Sequence, residues 1–461
     1  MDFPTFHLDW MGNRLLIAVI ATVHVVVTHA MAVGALPLVT LLEWRGYHTC
    51  DDRWDHLAFR IFTFCFVVTT SVGALTGVGI WFAVALVNPH AIGSLLRIFF
   101  WAWFTEWLLF TIEVGLILAY YLTWKHGTWT HEQQLPPQQQ KQHKRRHILL
   151  GGCLSIASLL AMMIVVAILS FMMDPGEWPV QRSFWTGVFN PIYVPQLAFR
   201  MPLAMLLAGL FTMLLIPFFT SRDDFRSAAM RWAATWTLAW SLPCMIAALI
   251  YWQAIPTAMK ANWPTALTTQ AFISWHVFVV WTLAIAAVMI VAVAVWASLW
   301  PKRTPRVTVG IALITAVILM GSFERVREFI RKPAVIPRYM YANGIEINLY
   351  PLLAEQGVLT HATYVNQQEI TPENRLLAGR DMFRIACSRC HTTAGINGIT
   401  QKVRQLYEGR PPEHDALLAF IRTMHNVRPF MPPAPGTEAE LSALTDYIIE
   451  LQRSGHAWFR K

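Results

Sequence analysis

The sequence predicts an all-α protein. A polytopic membrane helical bundle of about eight transmembrane helices is followed by a small α-helical domain outside the membrane. Three observations carry this expectation. Hydrophobic residues make up 55% of the chain and charged residues 14%, more apolar than a soluble core requires. Apolar runs long enough to cross a bilayer recur through residues 14–330. Beyond residue 371 the chain turns polar, with amphipathic helical segments at 375–386 and 438–452.

The eight apolar runs are 14–42, 57–87, 95–124, 148–172, 194–220, 228–252, 272–300 and 307–330. Several exceed the roughly 20 residues that cross a bilayer, which predicts tilt or protrusion. No basic stretch with a following cleavage site precedes the first run, so it reads as an uncleaved anchor. Basic residues set the orientation. Arg45 and Arg53 lie in the first of four loops on one side of the bundle. Lys125, Lys141, Lys144, Arg145 and Arg146 lie in the second, within a loop whose Gln/Pro stretch 133–142 is expected to be mobile. Arg222, Arg226 and Arg231 occupy the third, and Lys302, Arg303 and Arg306 the fourth. The positive-inside rule makes that side cytoplasmic and sends both termini outward. The expectation is a multi-pass protein of a bacterial inner (cell) membrane, with its C-terminal domain in the periplasm. The net charge of +9 follows largely from these loops, so the surrounding partner is membrane lipid and no nucleic acid is called for. The six cysteines do not form a disulfide framework: three lie in apolar runs and Cys50 in a cytoplasmic loop.

The remaining two belong to Cys387-Ser388-Arg389-Cys390-His391. A C-x-x-C-H pentad attaches haem c through two thioethers, and its histidine is the first iron ligand. A zinc site would need further ligands, and no other cysteine lies beyond Cys244. Later comes Arg428-Pro429-Phe430-Met431-Pro432-Pro433. Met431, on a proline-stiffened loop, is a second axial ligand in one reading and core filler in the other. Helix, pentad, Met-Pro-Pro loop and closing helix together resemble a small class I cytochrome c over residues 372–455. The chain then divides into a membrane domain 1–333, a linker 334–371 and a cytochrome c domain 372–461. Pro337, Tyr339, Tyr341, Asn343 and Gly344 make the linker too rich in aromatic and aliphatic company for a free tether, so it is expected to pack on the membrane domain.

Ionisable residues inside membrane helices are costly and default to function. His24 and His29 lie in the first run, about 140° apart at 100° per residue. Glu106 and Glu113 share one face of the third, and Glu324, Glu328 and Arg331 one face of the eighth. Arg200 starts the fifth run and His276 the seventh. Each has a plain alternative, an interhelical hydrogen bond or an ion pair, and Arg331 or Arg325 is the natural partner for Glu328.

Arg14-Leu15 followed by Ala21-Thr22-Val23-His24 resembles the start of subunit I of the cytochrome bd oxidases. So do Thr76-Gly77, the Glu106/Glu113 helix, Asn190-Pro191, and Glu328-Phe329-Ile330-Arg331-Lys332-Pro333, which is similar to the family's Glu-x-Gly-Arg-Gln-Pro motif. The resemblance spans about residues 10–335. It implies membrane haems, of the haem b and haem d types, with His24 and Glu328 as iron ligands and Arg331 beside them. It also implies a proton path past Glu106 and Glu113 and a subunit II-like membrane partner. The chain departs where the family's low-spin haem binds: Phe199-Arg200 and Phe278 stand at its ligand positions, and His276 replaces an arginine. Glu324 stands where a tryptophan is expected. The long loop that binds quinol is missing, so no quinol site is expected. The pattern is similar to the cytochrome-c-fused branch of the superfamily. It implies a soluble periplasmic electron donor, transfer through haem c, and reduction of dioxygen or nitric oxide. The alternative is a non-catalytic electron-transfer subunit, with His29 or His276 as extra haem ligands.

Overall fold

The computed structural model describes residues 6–127, 137–221 and 223–454. Arg222, the side chain of Lys125 and the first part of the 133–142 stretch lie outside them. Among the described residues, eight helices are long and apolar enough to cross a membrane: Asn13–Thr49, Asp52–Val87, Phe100–Trp124, Gln138–Phe171, Tyr193–Phe219, Asp224–Ala254, Gln270–Leu299 and Arg306–Ile330.

The fifth span is central, with 67% of its apolar window buried against 17% for the third and the seventh. Small residues let it approach its neighbours. A Cβ on Gly34 would lie 2.1 Å from the Ala204 carbonyl oxygen, so the first and fifth backbones touch there. On the same span, Gly209 leaves room for Thr237 and Trp236 of the sixth. The third and seventh spans present Trp101, Phe104, Trp107, Trp281 and Ile285 outward.

Four local features differ from the sequence expectation. The first two spans each contain a π-helical turn, Thr28–Val33 and Thr69–Gly73, so the count of 100° per residue fails at Thr28. The run 95–124 is two helices: Asn88 caps Pro89–Ile98 by accepting from the Ala91 N–H at 3.3 Å, and the span starts after a break at Phe99. The fourth span begins as Pro137–Phe171, so the later part of the Gln/Pro stretch is helix, not loop. Its Gln, Lys and Arg residues favour helix, and Lys144 and His147 dock onto the first two spans. The seventh span opens with a 3-10 turn, Gln270–Trp275.

After the eighth span comes a two-stranded hairpin, Ala334–Ile336 with Met340–Tyr341, and the helix Tyr350–Gln356. Then follow Arg375–Ala386, Ile399–Leu406, His414–Val427 and Glu438–Ser454. The first and last of these four cross at Gly379, where a Cβ would sit 2.1 Å from the Ala443 carbonyl oxygen. Their core holds Met382, Phe383, Leu417, Leu444 and Ile448 together with Leu353 and Leu359. Buried Glu440 caps its own helix at the Thr437 N–H (2.8 Å). It also accepts from the N–H groups of Val358 (2.9 Å) and Leu359 (2.7 Å), which binds residues 350–359 to the C-terminal helices.

Candidate functional site

His24 stands one turn before the first π-helical turn. Its Nδ1 lies 3.1 Å from the Gly73 carbonyl oxygen and 3.2 Å from Thr76 Oγ1 of the second span. The carbonyl accepts only, so Nδ1 carries the proton and Nε2 keeps its lone pair. A histidine fixed this way is oriented for a metal. Gly77 makes room for the ring: a Cβ there would be 3.1 Å from His24 Cε1.

His29 is engaged differently. Its Nε2 lies 3.3 Å from Arg200 Nη1. Arg200, 1% exposed, donates through Nη2 to Glu324 Oε1 at 2.6 Å, and Glu324 Oε2 accepts from Arg327 Nε at 2.8 Å. Glu328 pairs instead with Arg331 and with Lys332 Nζ at 3.3 Å. Glu324 and Glu328 therefore serve separate networks despite their common face. Arg325 turns away to the Thr268 carbonyl. Arg14 lies over the Phe329 ring, 5.1 Å from its centroid. Arg200 Nε, Arg327 Nη1 and Arg331 Nε are buried with no hydrogen-bond acceptor. Such donors fit the carboxylates of a haem, and His24 Nε2 fits its iron. Glu106 and Glu113 are half-buried on the third span, and Glu113 faces Ser158 of the fourth. His276 sits among exposed Trp275, Val277 and Phe278, with Nδ1 2.7 Å from the Ile273 carbonyl oxygen.

In the C-terminal domain Cys387 and Cys390 are free thiols. His391 Nδ1 lies 3.1 Å from the Asn397 carbonyl oxygen, which again leaves Nε2 for a metal. Asn397 donates to the Cys390 carbonyl at 2.7 Å and closes the turn. The Met431 loop is held by its own carbonyl, which accepts from His425 Nδ1 at 2.6 Å, and by Tyr350 on the Pro433 carbonyl at 3.2 Å. These residues fit covalent haem.

The pentad rests on the membrane bundle. Arg389, buried, donates from Nε to the Val87 carbonyl at 2.9 Å, at the end of the second span. Burial pushes its guanidinium down to about 10, which leaves it charged at neutral pH. Gly344, at φ 83°, crosses above: a Cβ would be 2.4 Å from Asn88 Oδ1 and 3.3 Å from Arg389. Asp9, ahead of the first span, accepts from both the N–H and the hydroxyl of Thr393 at 2.6 Å. Phe430, next to Met431, packs on Phe329, next to Glu328, with centroids 5.6 Å apart. The structure thus brings Cys387, Cys390, His391 and the Met431 loop to the bundle end that holds Arg14, Glu328 and Arg331.

No family model matches this sequence, and no curated protein matches it. The fold has a counterpart nonetheless. It is the fold of a bd oxidase. The structure of bd oxidase from Geobacillus thermodenitrificans aligns with a TM-score of 0.57 over 72% of this chain and 90% of that one, at 16% identity. Over most of its length the chain therefore shares the fold of a bd oxidase, and its described residues include eight helices long and apolar enough to cross a membrane.

Sequence reasoning missed two sets of residues. Asp9 and Arg389 dock the C-terminal domain, and nothing local marks them. Glu43, Asp55, Tyr120, Lys144 and His147 form a buried cluster at the opposite end. Its signal was present: Lys144 and His147 are one helical turn apart and face Glu43.

Proposed function

We propose that the chain is a membrane haem oxidoreductase, electrically entered through a periplasmic haem c, that reduces dioxygen to water. The observation that carries this is the Phe329–Phe430 contact, which seats the Met431 loop beside Glu328. Electrons cross more readily between redox centres that lie close, and here residues adjacent to two of the proposed ligands touch. Bound haem would supply one-electron chemistry and, at an open iron position, a site for dioxygen or nitric oxide.

This chain's residues do the rest. Cys387 and Cys390 hold haem c covalently, and His391 and Met431 are its axial ligands. His24, through Nε2, and Glu328 ligate the membrane haems, of the haem b and haem d types. Arg331, Arg327 and Arg200 offer buried N–H groups to propionates. Glu106 and Glu113 hold and pass the protons that reduction consumes. A soluble periplasmic protein is the donor, and a subunit II-like membrane protein is the partner, for which the outward aromatic residues of the third span offer a surface. The four basic loops face the cytoplasm, in a bacterial inner membrane. The competing reading, an electron-transfer subunit with every iron six-coordinate, needs further ligands. His29 Nε2 is occupied by Arg200 and His276 lies on an exposed face, so neither supports it.

The test is spectroscopic. The protein is purified with its partner, reduced, and exposed to carbon monoxide. A membrane haem band should shift, and His24→Ala should abolish the shift while the haem c band stays. A wild-type spectrum indifferent to carbon monoxide sinks the oxidase reading. A response that survives His24→Ala sinks the ligand assignment.

A further inference from the structure

At the bundle end remote from the C-terminal domain, four spans meet around two carboxylates, Glu43 and Asp55. Glu43 is fully buried. Its Oε2 accepts from the Tyr120 hydroxyl at 2.6 Å, and its Oε1 meets Lys144 Nζ at 2.9 Å and His147 Nδ1. Lys144 also binds Asp55, which accepts from Trp124 Nε1 at 3.4 Å. The haem assignments use none of these groups. A buried ion-pair cluster is weak evidence for stability, so its presence asks for another explanation.

The histidine supplies one. His147 Nε2 lies 3.1 Å from the Tyr120 carbonyl oxygen, which only accepts. Nε2 therefore carries a proton, and Nδ1 meets a carboxylate. Two carboxylates, Asp55 and Glu43, thus face one lysine and one histidine, and a proton can pass from Lys144 to Glu43 without changing the total charge of the cluster. Exposure falls along the cluster: Lys144 and Asp55 side chains are 14% and 13% exposed, His147 7%, Glu43 0%. Lys144 and Asp55 are thus the outer, more open pair, and His147 and Glu43 the inner one.

Beyond Glu43 a polar stripe runs on into the membrane. Tyr120, Glu113 and Glu106 follow at seven-residue steps on one face of the third span, about 10 Å per step. Across from them, Lys144, His147, Gly151 and Ser158 share a face of the fourth span, and Ser158 meets Glu113. Gly151 allows the close approach: a Cβ there would lie 2.7 Å from Thr40 Oγ1 and 3.0 Å from the Tyr120 ring.

We infer that Glu43, held in place by His147 and fed by Lys144 and Asp55, is a proton-loading site that supplies Glu113 and Glu106 from the aqueous phase on this side. The inference rests on the oxidoreductase reading for the use of the protons. In each cycle an N–H of the Lys144 ammonium breaks and an O–H forms on Glu43. Lys144 regains its proton from hydronium through Asp55, releasing water. Glu43 then passes its proton to the Tyr120 oxygen as the original Tyr120 proton leaves inward through bridging water to the Glu113 carboxylate. Glu43 ends as a carboxylate, Lys144 as an ammonium and Tyr120 as a phenol, and no electron moves.

Glu43→Gln keeps the shape and the Tyr120 hydrogen bond but cannot take up a proton. Lys144→Arg keeps the charge and the clamp but does not release a proton. Each variant, with its partner, is reconstituted in vesicles and read three ways: the oxidised-minus-reduced infrared spectrum in the carboxyl region, dye-reported proton uptake and turnover against pH, and the carbon monoxide response. Wild type should show a carboxyl band on reduction that Glu43→Gln lacks. Both variants should slow uptake and turnover by roughly 100-fold, with haem spectra and carbon monoxide response unchanged. Wild-type uptake rates and an unaltered pH profile in both variants would overturn the inference and leave a helix clamp. Should wild type ignore carbon monoxide, the oxidase reading falls alone. The infrared band then still decides: its dependence on Glu43 supports redox-linked loading, and its absence from wild type overturns it.

Discussion

The two ends of the bundle treat buried charge in opposite ways. Under the C-terminal domain, Arg200, Arg327 and Arg331 each keep a buried N–H without an acceptor. At the far end Arg45 Nε also lacks an acceptor and its guanidinium lies over the Trp54 ring, but Glu43, Tyr120, Lys144 and His147 bond to one another. An unmade buried hydrogen bond costs about 1–3 kcal/mol. An end that retains several is shaped for acceptors from outside the chain, as haem carboxylates would be. A cluster whose members bond to one another leaves less for an outside acceptor to satisfy.

The largest expected effect tests the first half of that contrast. Changing Cys387 and Cys390 together to Ala should remove covalent haem completely, seen as loss of haem staining in a denaturing gel. Electron entry from a protein donor should vanish with it, while chemical reduction still produces the His24-dependent carbon monoxide response. Stain that persists in the double variant would place the covalent haem elsewhere.

Next in size is the Arg200 network. Arg200→Leu leaves Glu324 buried beside Arg327 alone and should cost about 3–5 kcal/mol, the usual loss when one partner of a buried pair is removed. Replacing Glu324 by Leu as well should recover part of that loss, because the stranded carboxylate goes too. Thermal unfolding of the wild type, Arg200→Leu and the double variant measures this. A double variant no more stable than Arg200→Leu would deny the coupling.

The contrast between the ends was only half legible in the sequence. Hydropathy located the spans because lipid demands long apolar helices whatever their packing. The π-helical turns beside His24 were not visible, since they depend on how the first two spans pack. The break at Phe99 lies inside an unbroken apolar run, although Asn88-Pro89 carried the cap and first-turn signals of a new helix. The helix from Pro137 read as loop because it is polar, and its partners are far away in sequence. At the site, Cys387-x-x-Cys390-His391 was plain because the chemistry fixes the spacing. Thr76-Gly77 stands in the sequence as a motif without its reason, which is the His24 ring lying against it. Glu43 is hidden because the apolar run ends at Leu42, one residue short of it.

A smaller effect sharpens the far end. Gly151→Ala pushes a methyl group to 2.7 Å from Thr40 Oγ1 and should destabilise by about 1–3 kcal/mol through overpacking. Gly152→Ala, with nothing within 4 Å, should be neutral. Equal unfolding temperatures for the two variants would mean that the fourth span does not approach Thr40 of the first span and Tyr120 of the third this closely.

The smallest effect concerns the seam between the halves, and it depends on pH. Burial alone would raise the Asp9 carboxyl, but hydrogen bonds from His7 and Thr393 overcome this and hold it at about 2, below its ordinary 3.8. A carboxylate with a depressed folded-state value stabilises above its unfolded value and loses that contribution as pH falls through the folded one. The contact with Thr393 should therefore be fully effective well above pH 3.8 and lost as the pH falls through about 2. Asp9→Asn lacks the charge at every pH. The difference in unfolding temperature between wild type and Asp9→Asn should be constant from neutral pH down to about 4 and then shrink toward zero. Because Asp9 is partly exposed, the plateau should be modest. A difference that holds unchanged to pH 2 would show that the Asp9 carboxylate does not fasten the C-terminal domain, leaving Arg389 and the Phe329–Phe430 contact to do so.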